Sequence, residues 1–140
     1  MTALILLTIA TTQPSVPEHW IDQVEQIESG GRNVYGDGRK ARGIFQFHRA
    51  AWKDTSKIRK AAGLAVYPYN DAFNRQVARE YARSWLTYIY YYLSKRYCRP
   101  ARLSEVWLAY NLGIDGFRRY NYNMRIVEDW RREKAFTLID

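Results

Sequence analysis

Apolar residues recur at every fourth position from Phe73 through Val77, Tyr81, Trp85 and Ile89 to Leu93. Only an α-helix gathers such a row onto one face, because its 3.6-residue turn stacks i over i+4 whereas a strand alternates with period two. A helix of that length crosses a small domain from side to side. The rest of the chain also reads mostly helical, and the fold is predicted to be mainly α. At 140 residues the chain fits one domain, large enough to bury a core without disulfide staples. The single cysteine, Cys98, has no partner for an internal bridge and reads as a passive, partly buried thiol.

Other helical segments flank this row. Pro17 suits a helix start, where a missing N–H costs little, and Trp20, Val24 and Ile27 then share one face until Gly30-Gly31 stops the helix. Gly36-Asp37-Gly38 is a strong turn signal and Gly43 to Phe47 is β-prone, so a small irregular hairpin is expected within Asn33 to Phe47. A short helix follows over Arg49 to Lys60, then a loop from Gly63 to Asn70. Asn70 or Asp71 is positioned to cap the long helix. Beyond Pro100 a helix is expected around Ser104 to Asn111 with Ser104 as its cap, a turn at Gly113 to Gly116, and a last helix over Asn123 to Lys134.

The first 17 residues carry no charge, and Ala3 to Ala10 is a short apolar run followed by small residues. This has the shape of a signal peptide without its positive n-region, and it is too short to span a bilayer. The expectation is a leader over residues 1–13, a catalytic domain over residues 14–140, and a secreted or periplasmic monomer without an integral membrane span.

A net charge of +8 and a pI near 9.7 favour polyanionic partners. Twelve tyrosines and five tryptophans supply flat amphipathic faces able to stack on sugars or bases. Arg39, Lys40 and Arg42 cluster in the hairpin, and Arg118, Arg119, Arg125, Arg131 and Arg132 cluster near the C-terminus. No Cys/His spacing suits a metal and no cofactor motif is present; His19 and His48 read as incidental.

Glu28 stands in the last turn of the first helix, where the partial negative charge of the helix end disfavours a carboxylate. That suits a group required to carry a proton near neutral pH. Glu28-Ser29-Gly30-Gly31 is followed by Gly43-Ile44-Phe45-Gln46 and, much later, by Ala109-Tyr110-Asn111-Leu112-Gly113. The ordered set resembles the soluble lytic transglycosylase family of the lysozyme-like superfamily, over a stretch from Trp20 to about Tyr120. Phe45 stands where methionine is common in that family.

The resemblance implies cleavage of the β-1,4 bond between N-acetylmuramic acid and N-acetylglucosamine in peptidoglycan strands. It implies Glu28 as the catalytic acid, Ser29 and Gln46 as residues oriented on the sugar, and Tyr110 with Asn111 beside the glutamate. The site would lie between the first helix, the hairpin and the Ala109–Gly113 helix. The Gly36-Asp37-Gly38 stretch also resembles certain lysozymes, in which a second carboxylate, here Asp37, would support hydrolysis. Two readings from other classes stay open. One is a glycan-binding module without chemistry. The other is a nucleic-acid binder, which the charge permits but no motif supports; no nucleic-acid partner is expected.

Overall fold

The computed structural model describes residues 13–140, so the leader expected over residues 1–13 falls, but for Gln13, outside the described residues. The chain is mainly helical with one small antiparallel sheet between its first two helices, as the periodicity predicts. Two compact units divide it, one up to Thr87 and one from Tyr88 to Asp140.

In the first unit, α1 covers Glu18–Ser29 and follows Pro17. It buries Trp20, Ile21 and Val24, while Ile27 is half-buried. Gly30 ends it in the left-handed conformation at φ 63° and donates its N–H to the Gln26 carbonyl. Three two-residue strands follow: β1 (Tyr35–Gly36), β2 (Ala41–Arg42) and β3 (Phe47–His48). They form an antiparallel sheet in the order β1-β2-β3, with Tyr35 opposite Arg42, and Arg42 opposite Phe47. The stretch from Gly43 to Gln46, read as β-prone, is instead a tight turn closed by the Gln46 N–H on the Gly43 carbonyl at 3.1 Å. Gly43 at φ 79° makes the turn possible.

The second helix, α2, covers Arg49–Ala61. A loop and a 3-10 helix (Tyr69–Phe73) then lead into α3 (Arg75–Tyr97). The cap of α3 is Asn74, not Asn70 or Asp71: its Oδ1 accepts the N–H groups of Gln76 and Val77, each at 3.1 Å. Asn70 and Asp71 are spent in the 3-10 helix, which also takes Phe73 out of the long helical row.

The core of this unit is aromatic. Trp52 stacks on Tyr81 with centroids 3.7 Å apart, and Phe47 meets Trp52 edge-on at 5.2 Å. Their polar atoms are satisfied: Trp52 Nε1 donates to the Tyr67 carbonyl, and the Tyr81 hydroxyl bonds Ser56 and the Tyr67 N–H. Arg59, only 5% exposed, holds the loop through Nε to the Ala65 carbonyl and Nη1 to Ser84. Glu18 and Asp22 of α1 bind Arg79 and Arg83 of α3.

The second unit holds the last turns of α3, then α4 (Leu103–Leu112), α5 (Ile114–Arg118), a 3-10 helix (Met124–Ile126) and α6 (Asp129–Phe136). Cys98, expected partly buried, is exposed and leaves α3 at φ 53°. Every residue of α4 from Leu103 to Ala109 is buried, which marks it as the central helix of this unit; α5 and α6 pack on it. Its start is closed not by a Ser104 side chain but by Glu105, whose Oε1 accepts the Arg102 N–H at 2.8 Å, and by Asp140 Oδ1 on the Leu103 N–H at 2.6 Å. Residues 114–118, expected largely as a turn, form α5. The last expected helix divides into the 3-10 turn and α6.

Candidate active site

Glu28 lies where the sequence places it, half-buried in the final turn of α1. Its neighbour Ser29 is buried and faces a different element. Ser29 Oγ donates to the Ile44 carbonyl at 2.6 Å and accepts the Gly31 N–H at 3.1 Å. One hydroxyl thus pins the end of α1 to the Gly43–Gln46 turn and fixes the glycine pair that leaves the helix. The Glu-Ser block and the Gly-x-x-Gln block are therefore in direct contact.

Gln46 is held in the left-handed region at φ 52°. Its Nε2 donates to the carbonyls of Gly43, at 2.9 Å, and Val34, at 3.0 Å. Its Oε1 lies over Gly36, where an added Cβ would come within 1.8 Å. The side chain is thereby locked across β1, and only a glycine at position 36 leaves room for it. Gly43 meets a harder wall, because a Cβ there would lie 1.9 Å from the Ala72 carbonyl oxygen. Asn33 Nδ2 donates to the Phe73 carbonyl, so the turn, β1 and the 3-10 helix form one braced frame.

Asp37 sits at the turn after β1 at φ 49°. Its carboxylate pairs with His48 Nε2 at 3.3 Å, both side chains being at least half exposed. His48, which reads as incidental in the sequence, is the residue that orients Asp37. Spacing could not reveal the pair, because the two are eleven positions apart and the sheet register brings them together.

Tyr110 and Asn111 belong to the second unit, at the end of α4, both half-buried. Asn111 Oδ1 accepts Arg131 Nε at 2.7 Å, which leaves its amide N–H groups as the donors the side chain can offer a ligand. Arg131 in turn is paired with Glu128. In the same unit Tyr122 is held at φ 54°, with its hydroxyl bonded to Tyr92 and Arg118. Burial pushes the Tyr97 phenol above its ordinary range; it donates to the Tyr122 carbonyl.

Among the described residues no three His, Cys, Asp or Glu side chains converge into a set able to hold a metal ion, and no helix is long and apolar enough to cross a membrane. Set against known proteins, the chain matches no family model, no curated protein and no solved structure.

Proposed function

We propose that this chain is a peptidoglycan-cleaving glycosidase of the lytic transglycosylase type, acting on the β-1,4 bond between N-acetylmuramic acid and N-acetylglucosamine with Glu28 as its single acid and base. The observation that carries the reading is the Ser29–Ile44 hydrogen bond. It joins two of the three sequence blocks on which the resemblance rests, and it holds the glutamate's helix end against the turn that presents Gln46.

In this mechanism the protonated Glu28 gives its proton to the glycosidic oxygen as the bond to the muramic C1 breaks. The resulting carboxylate then takes the proton of that sugar's C6 hydroxyl as the C6 oxygen bonds to C1. The products are a 1,6-anhydromuramic end and a free 4-hydroxyl on the leaving sugar, and no water is consumed.

Hydrolysis by two carboxylates is the second reading. Asp37 lies 3.3 Å from His48 Nε2 with both side chains at least half exposed, a contact too weak to decide between the two readings. Mass spectrometry of fragments released from purified peptidoglycan separates the two. Anhydromuramic ends support the transglycosylase; reducing muramic ends, heavier by one water, make the chain a hydrolase. Glu28→Gln should abolish release of either product with the fold intact by circular dichroism, and normal lysis by that variant would overturn the assignment.

A further inference from the structure

We propose that the face formed by Tyr35, Arg39, Arg42, Arg49 and Tyr69 is a subsite for the carboxylates of the peptide stems that wall glycan carries; this rests on the glycan-cleaving reading above. The five side chains alternate cation and ring. Arg39 Cζ lies 4.5 Å from the Tyr35 centroid, and Arg42 lies 5.9 Å from Tyr35 and 4.0 Å from Tyr69. Arg49 lies 4.9 Å from Tyr69. The ladder follows from the register, which sets Tyr35 opposite Arg42. Tyr69 is fixed by its hydroxyl on the Phe47 carbonyl, at 2.6 Å, and on the Lys40 carbonyl, at 3.1 Å. Stacking on a ring sets the plane of a guanidinium while leaving its N–H edge available to a carboxylate.

Part of the chain's positive charge is neutralised internally, and this face is among the parts that are not, with its cations ordered by the two rings. Arg59, Arg79, Arg83, Arg99, Arg118, Arg131 and Arg132 are each paired with a carboxylate of the chain. Among the described residues no carboxylate pairs with Arg39, Lys40, Arg42 or Arg49. Arg42 spends Nη1 on Asn70 Oδ1 at 2.7 Å and its Nε is buried without an acceptor, so the exposed Arg39 and Arg49 at the ends of the ladder supply the N–H groups that a ligand can reach. Four cations gathered on the hairpin and the start of α2 repel one another, and a bound anion relieves that repulsion. The fork of an arginine matches a carboxylate bidentately. The ladder also continues directly from the residues assigned to the glycan: Tyr35 precedes Gly36, over which Gln46 lies, and Gln46 Nε2 bonds the Val34 carbonyl. A stem carboxylate on the strand being cut would meet the ladder while the sugar meets Gln46.

The test uses the full chain carrying Glu28→Gln, so that glycan is not consumed, and measures co-sedimentation with peptidoglycan freed of phosphate polymers. Stems are either left intact or removed with an amidase. In that background Arg39→Gln with Arg49→Gln, at the exposed ends of the ladder, should weaken binding to stem-bearing glycan about tenfold and leave binding to stripped glycan unchanged. Arg119→Gln with Arg125→Gln removes the same charge elsewhere and should do neither. Unchanged binding by the first pair, equal loss on both glycans, or equal loss from both pairs overturns the subsite and leaves the Glu28 assignment standing. Failure of the Glu28→Gln parent to bind either glycan instead sinks the glycan reading itself. Tighter binding of a DNA duplex through Arg39 and Arg49 overturns the proposal in favour of a nucleic-acid surface.

Discussion

Ser29 Oγ and the Ile44 carbonyl oxygen, 15 residues apart, are joined by a 2.6 Å hydrogen bond at a buried position. Replacing Ser29 with alanine strands the Ile44 carbonyl and the Gly31 N–H, each deprived of its side-chain partner. The expected cost is about 1–3 kcal/mol, read by urea denaturation. Lysis should fall further than the loss of folded protein explains, because the helix end bearing Glu28 is no longer tied to the turn. Ser29→Ala at wild-type stability would show that the bond is incidental.

Two glycines of the same frame should behave differently. Gly43→Ala faces both a left-handed backbone at φ 79° and a backbone oxygen 1.9 Å away, neither of which can yield cheaply. It should cost more than about 3 kcal/mol and lower Tm sharply. Gly36→Ala meets only the far end of Gln46. Its expected stability loss is about 1 kcal/mol, but Gln46 must swing off the Val34 and Gly43 carbonyls. Lysis should drop well beyond the change in stability, and a variant with normal turnover would remove Gln46 from the site.

Asp37 is best tested with asparagine, which keeps the left-handed turn that alanine would strain. Loss of the exposed pair with His48 should change stability by less than about 1 kcal/mol. On the single-glutamate mechanism Asp37→Asn retains lysis within a few-fold and still yields anhydromuramic ends. A loss near a hundredfold, with reducing ends from the wild type, would establish the two-carboxylate route.

Glu105 gives the fold an acid limit. Burial alone would raise its pKa, but the paired N–H groups of Arg99 and the Arg102 backbone outweigh this and hold the carboxyl below its ordinary value of 4.5. A depressed folded pKa contributes stability that is complete above the unfolded value and is lost as pH falls through the folded one. Stability from this group should therefore be level above about pH 5 and decline below about pH 4. Glu105→Gln should flatten that decline while costing about 1–3 kcal/mol at neutral pH.

The long helix, its neighbours and the position of the small sheet were legible because periodicity and glycine stops are local signals. The row Tyr81, Trp85, Ile89 and Leu93 is buried as its spacing demands. What escaped was set by tertiary contact. Asn74 took the cap from Asn70 and Asp71 because a 3-10 turn intervenes, and Gly43 to Gln46 became a turn although its composition suits a strand. At the candidate site, Glu28, Ser29 and Gln46 stood out as residues. The bond from Ser29 to Ile44, the pairing of Asp37 with His48, and the interleaving of Tyr35 and Tyr69 with the hairpin arginines depend on register and could not be read from spacing.

The face-to-face Trp52–Tyr81 pair lies in the unit that carries Glu28 and Gln46, whereas Trp107, 1% exposed, lies in the other. Fixed aromatic packing produces near-ultraviolet circular dichroism, and that signal disappears when packing loosens even if helices persist. Trp20, Trp52 and Trp85 lie in the first unit and Trp107 and Trp130 in the second, so replacing the second pair with phenylalanine in one protein and the first three in another confines tryptophan fluorescence to one unit in each. Heating the two proteins side by side would then report whether the halves of the chain melt at one temperature or two.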